Sequence, residues 1–181
     1  MKAVFFLVTS LAFCACGTSE YRLLQQRSLA QQQPGDLAQI PHLQSKGRVQ
    51  DKDYNQIEII DRLVAMQTQA IPFLIDKLTD ETQINRPVID FWSEVAVGDV
   101  ALIILTDLFT DQSWTNTTIP NVSWDAMLER KTQNISSEEL LRQYIRQHGR
   151  KAIQQKWTKI WDAYRDKLYW DEKDRCFKTR T

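Results

Sequence analysis

Eight carboxylates stand between Asp76 and Asp111, namely Asp76, Asp80, Glu81, Asp90, Glu94, Asp99, Asp107 and Asp111, against only Lys77 and Arg86. Two acids held about 5–10 Å apart can hydrolyse a glycoside, one donating a proton and the other acting as base or nucleophile. Asp90 and Glu94 flank Trp92 and are the pair best placed for such chemistry. Spacing alone does not bring them together, and a solvated acidic face is the plainer reading of the run. Asp99 and Asp107 bracket a strongly apolar stretch, which predicts that both sit at its exposed edge.

Other reactive side chains are few. His42 lies in a segment without apolar periodicity, and His148 precedes Gly149 at the end of a predicted helix, where the negative dipole end favours an imidazolium. With neither a His-x-x-x-His nor a Cys-x-x-Cys spacing, a zinc site has no ligand set, and no cofactor is expected. Cys176 stands near the end of the chain with no histidine close in sequence, which makes it a packing residue. Gly-x-Ser-x-Gly, Ser-x-x-Lys and glycine-rich phosphate loops do not occur, and five glycines would build few of the last. No catalytic residue is assigned.

Binding is the remaining chemistry. Of the six tryptophans, Trp157 and Trp161 fall on an apolar helical stripe and belong to the core. Trp92, Trp114 and Trp124 lie in or beside irregular segments and are the candidate contact residues, tryptophan being enriched at binding hot spots. The chain carries 23 basic and 23 acidic residues, so nothing in its net charge suits a polyanion. Locally the charge is divided: Leu140 to Trp161 holds Arg142, Arg146, Arg150, Lys151, Lys156 and Lys159 and no acid. Because Trp157 and Trp161 face inward, stacking on bases is not expected, and nucleic acid is excluded as partner. The plain expectation is that the two poles partly neutralise each other where helices pack.

The elements that must position these residues begin after a leader. Lys2 is followed by an eleven-residue apolar stretch, Ala3 to Phe13, broken by Thr9 and Ser10. That is too short for a membrane span, which needs roughly 20 residues, and fits a signal-peptide core. The segment Leu11-Ala12-Phe13-Cys14-Ala15-Cys16-Gly17 resembles a bacterial lipoprotein signal, with small Ala15 before Cys16 and Phe13 where such signals more often carry leucine. The resemblance implies cleavage after residue 15, acylation of Cys16 and, with Gly17 following, sorting to the outer membrane facing the periplasm. A secreted or soluble periplasmic form is the alternative. Acyl chains contribute about 0.8 kcal/mol per buried methylene, so the lipid bilayer becomes a partner through Cys16 without being spanned. Residues 16–50, rich in glutamine and interrupted by Pro34-Gly35, Pro41 and Gly47, read as a tether, and residues 51–181 as a helical domain.

Within that domain, Ile57, Ile60, Leu63 and Val64, then Ile71, Leu74, Ile75 and Leu78, repeat at helical spacing on either side of Gln67-Thr68-Gln69. Two short helices follow, with Thr68 as cap of the second and Pro72 in its first turn, where a missing N–H costs nothing. The run Ala65 to Glu81 resembles the turn and second helix of a HEAT-like repeat, with Gln67 where the pattern has glycine. One such unit cannot bury its own face. Val97 to Phe109 is apolar nearly all round and predicts a buried central helix. A long Thr- and Asn-rich connection over 112–135 leads to a capping box, Ser136 with Glu139, and a helix ending near Gly149. Ile153, Trp157, Ile160, Trp161, Tyr164 and Leu168 form the stripe of the last helix, and the tail beyond is poorly patterned.

The expected fold is therefore mainly α: a small helical domain with a HEAT-like pair and a buried central helix, after a signal peptide and a flexible tether. The expected function is that of a lipid-anchored bacterial envelope protein binding a protein partner, for example a periplasmic immunity or inhibitor protein. The alternatives are an envelope glycan or peptidoglycan hydrolase using paired carboxylates, and a structural or assembly lipoprotein.

Overall fold

The apolar stretch from Val97 folds as the helix that the others surround. The structure, a computed structural model, describes residues 35–40, 58–89, 92–111, 117–123 and 137–180. All of them fall in one compact unit, Gln33–Thr181; residues 1–32, Cys16 among them, lie outside the described residues. We label the α-helices α1 (Glu58–Met66), α2 (Ala70–Lys77), α3 (Val97–Leu108), α4 (Ser137–His148) and α5 (Arg150–Tyr164), and the strands β1 (Leu168–Asp171) and β2 (Cys176–Thr179). The described residues are mostly helical, with one small two-stranded sheet. No helix among them is long and apolar enough to cross a membrane.

Helix α3 is buried on most of its circumference, from Val97 through Val100, Ala101, Leu102, Ile104, Leu105 and Leu108. It lies against α2, α4, β2 and a short 3-10 turn, Leu37–Gln39. That last contact is made from within residues 16–50, the segment read as a tether. Leu37 and Ile40 are completely buried, and Arg86 Nη2 donates to the Ala38 carbonyl at 2.7 Å. A glutamine-rich segment thus contributes two aliphatic plugs to the core, each stabilising by about 1.5–3 kcal/mol relative to exposure.

Helices α1 and α2 are joined by the 3-10 turn Gln67–Gln69 and pack on each other. Gln67 adopts φ 50°, the left-handed region that glycine tolerates best. Pro72 sits in the first turn of α2, as expected, but Thr68 does not cap it: the N-cap is Gln69, with no side-chain bond to the helix. Gln154 of α5 closes the other end of α2, its Nε2 donating to the Ile75 carbonyl at 3.0 Å.

Gly149, at φ 76°, breaks α4 from α5. Ser136, the proposed cap of α4, lies outside the described residues. Of the α5 stripe, Ile153 and Trp157 are buried, whereas Ile160, Trp161 and Tyr164 are only half-buried at its C-terminal end. Tyr164 there donates its hydroxyl to the Pro120 carbonyl at 2.7 Å. This bond holds residues 117–123, whose Ile119 is 3% exposed and whose Thr118 N–H returns to the Phe109 carbonyl at 2.8 Å.

The tail is not irregular. Leu168 pairs antiparallel with Thr179 and Trp170 with Phe177. Phe177 lands on Phe109 at the end of α3, ring centroids 5.5 Å apart, and on Trp170 at 5.1 Å. Asp171 builds the turn by accepting the Lys173 and Asp174 N–H groups, both at 3.0 Å, and Arg175 takes φ 46°.

Candidate functional site

The chain between α2 and α3 is a loop closed at its base by backbone pairing. The Ile84 N–H donates to the Val95 carbonyl at 2.8 Å, and the Val97 N–H to the Thr82 carbonyl at 3.0 Å, flanking an antiparallel bridge between Gln83 and Ala96. Beyond the bridge the limbs part around a recess of about 750 Å³ lined by residues 83–87 and 92–94. Two of the sequence candidates, Trp92 and Glu94, are brought together here. Glu94 is exposed. Trp92 is 7% exposed, so it forms the buried wall of the recess and is not a free-standing contact residue. The Trp92 N–H returns to the Ile89 carbonyl at 3.2 Å, and the Arg142 guanidinium of α4 lies 5.6 Å from the ring centroid. Such a cation–π contact contributes about 0.5–2 kcal/mol. Asp90, Trp114 and Trp124 lie outside the described residues.

The base of this loop is fixed by a buried ion pair between Asp99 and Arg150. Asp99 is 5% exposed, not at a solvated edge. Its Oδ2 accepts the Ala96 N–H at 2.7 Å, the reciprocal half of a capping box, and its Oδ1 accepts from Arg150 Nη2 at 2.6 Å. Asp107 is half-buried. Gly98 lets the guanidinium approach: a Cβ there would stand 2.7 Å from Arg150 Nη1 and 2.6 Å from the Leu78 carbonyl oxygen. Asp99–Arg150 joins the acidic and basic poles, as the divided charge predicts, and other members of the basic pole also serve contacts. Arg146 bonds Glu139 at 2.9 Å, and Lys156 Nζ lies 5.3 Å from the Tyr144 ring centroid.

A second recess, of about 520 Å³, opens where α5 begins and is lined by Thr79, Glu81 and residues 148–152 with Gln154. His148 stands in it with its ring 4.8 Å from that of Tyr144. Nearby, hydrogen bonds from Thr82 hold the Asp80 carboxyl below its ordinary value of 3.8, helped by Lys77. At the far end of the molecule Lys178 donates to Asp171 at 2.8 Å and to Asp174. These bonds hold Asp171 down and push Lys178 up. Burial raises the Cys176 thiol to about 11, consistent with a packing residue. Groups of three or more metal-ligating side chains are absent among the described residues.

Arg86 and Arg142, which wall or brace the first recess, are visible in the sequence only as members of the charge pattern and not as site residues. Their signal was a basic residue in an otherwise acidic run and a basic residue one helical turn from Arg146, and neither spacing points at Trp92. Neither a protein-family model, nor a curated protein, nor a solved structure matches this chain.

Proposed function

We propose that the protein is anchored to the bacterial envelope through acylated Cys16 and binds a protein partner at the recess lined by residues 83–87 and 92–94. The observation that carries this reading is the recess itself: Trp92 is braced by Arg142, Glu94 is exposed at the rim, and the loop is held at its base by the buried Asp99–Arg150 pair. A concavity with an aromatic wall and a polar rim suits a partner's side chains. An immunity or inhibitor role is the concrete form of this reading. The pair α1–α2 is read as a HEAT-like unit, supported by the left-handed Gln67 at the position where that pattern has glycine.

Crosslinked capture of the anchored protein from its own cells tests the function, with Glu94→Arg and a Trp114→Ala, Trp124→Ala version as comparators. A protein retrieved by the unaltered bait and lost with Glu94→Arg supports the recess; identical retrieval by every bait rejects it. Turnover of peptidoglycan that vanishes in Glu94→Gln would assign the recess to hydrolysis instead. Mass spectrometry of the mature N-terminus tests the anchor, and an unmodified Cys16 ends that part of the reading.

A further inference from the structure

We propose that residues 35–40 form a strap that detaches as a unit of its own and, while docked, holds Arg86 in place for the partner, so that strap docking and binding at the recess are coupled. The inference rests on the reading that the recess binds a protein and that the chain is anchored at Cys16. The strap is a single 3-10 turn, Leu37–Gln39, with its flanking residues. Its own hydrogen bonds close within it: Asp36 Oδ1 accepts the Ala38 N–H at 2.9 Å, the Asp36 carbonyl accepts the Gln39 N–H at 2.9 Å, and the Leu37 carbonyl accepts the Ile40 N–H at 3.3 Å. Among the described residues its backbone pairs with no other helix or strand. What holds it down is the burial of Leu37 and Ile40 and the bond from Arg86 Nη2 to the Ala38 carbonyl at 2.7 Å.

The entropy of ordering such a segment is of the same order as the burial of two aliphatic side chains. Docking is therefore finely balanced, the condition for a segment to open while the rest stays folded. The frame does not need the strap, because α3 also packs on α2, α4 and β2. Arg86 carries the strap's state to the recess. Its side chain lines the recess together with Trp92 and Glu94, and its N–H donates to the Ile84 carbonyl at 2.8 Å. With the backbone fixed there, the Ala38 carbonyl draws the tip of the side chain to one place, and a partner that meets Arg86 loses less rotamer freedom on binding. By linkage the effect is mutual: a partner seated against Arg86 holds the strap down by the same factor. Since the chain leading from Cys16 enters the described fold at the strap, a pull on the anchor would weaken the recess before it unfolds the core.

The test is native-state hydrogen exchange by NMR on the full chain in detergent micelles at low urea. The Gln39 and Ile40 amides are expected to exchange faster than the Leu102 and Ile104 amides of α3 and with little dependence on urea, as local opening does. Leu37→Ala should speed the strap amides about tenfold or more and shift the Arg86 Nε–H and Glu94 amide resonances. Arg86→Met should speed the strap amides about tenfold, the loss of a hydrogen bond to a charged group, and should add little once Leu37→Ala is present. If Leu37→Ala does not fold, Ile40→Val gives the same comparison with an effect of about two- to tenfold. Strap amides that exchange at the rate and urea slope of α3 overturn the inference, because the strap would then be part of the core. So do unmoved Arg86 and Glu94 resonances in the released variant, or strap exchange unchanged by Arg86→Met. These readings need no partner: failure of cellular capture ends the proposed function while the exchange coupling persists, and a captured partner with no exchange coupling overturns the strap alone.

Discussion

Arg150 donates to one oxygen of Asp99 at 2.6 Å while the other oxygen of the same carboxylate caps the Ala96 N–H at 2.7 Å. One buried acid thus ties α5 to the start of α3 and to the limb of the loop that carries Trp92 and Glu94. Removing one member of a buried pair strands the other charge, at a cost of about 3–5 kcal/mol. Arg150→Met and Asp99→Asn are each expected to destabilise by an amount in that range, and the double variant by clearly less than their sum. A urea-denaturation cycle measures the coupling; additive losses would show that the two side chains do not act on each other.

Gly98 is the position that admits Arg150 to this corner. With an alanine Cβ set 2.6 Å from the Leu78 carbonyl oxygen and 2.7 Å from Arg150 Nη1, backbone or guanidinium must shift. Gly98→Ala, normally favourable inside a helix, is therefore expected to destabilise by about 1–3 kcal/mol. Thermal unfolding checks this, and a rise in melting temperature would mean that the approach is looser than the geometry states.

Much of the helical frame was legible because its cause is local. Val97 to Phe109 is apolar on nearly every side, and only burial on every side accommodates that. The Asp99–Arg150 pair was not legible, because the partners are 51 residues apart in sequence and an acid beside an apolar run is ordinarily solvated. Trp92 was expected exposed for a similar reason: its segment is irregular, and nothing local shows that the chain folds back at Ile89. The strands Leu168–Asp171 and Cys176–Thr179 are four residues each, and their turn contains no glycine or proline. Asp171, as acceptor for two successive N–H groups, was the available signal. Leu37 and Ile40 were hidden by composition, since two aliphatic residues among glutamines read as linker until a groove exists to receive them.

Gln67 holds a left-handed conformation that costs a non-glycine residue roughly 1–2 kcal/mol, partly offset by the greater entropy that glycine loses on folding. Gln67→Gly is expected to stabilise by up to about 1 kcal/mol, read as a higher urea midpoint at unchanged slope. A loss of stability would show that the exposed Gln67 side chain contributes more than the backbone strain removes.

Below neutrality the sensitive groups are Asp171 and Asp80, both held under the ordinary 3.8 by hydrogen bonds to Lys178 and Thr82 respectively. A carboxyl depressed in the folded state contributes stability that is present above 3.8 and lost as pH falls through its folded value. Stability is therefore expected to decline on acidification below about pH 4, less steeply in Asp171→Asn. An identical acid limb in that variant would remove Asp171 from the account.

At the alkaline end the sign reverses, and Cys176 supplies the test. Its side chain is fully buried at the start of β2, and burial lifts the thiol from 9.0 to about 11. Between those values the unfolded chain loses a proton that the folded chain retains, so stability falls as pH rises, with a slope approaching about 1.4 kcal/mol per pH unit. The same burial keeps the sulfur protonated and out of reach at pH 8, so a thiol reagent is expected to label Cys176 only upon unfolding. Cys176→Ala should flatten the stability profile between pH 9 and 11 relative to the unaltered chain. Lysines titrate in the same range in both proteins, so the difference between the two profiles isolates the thiol. Parallel profiles, or rapid labelling of the folded protein, would mean that β2 opens far more readily than its packing on Phe109 implies.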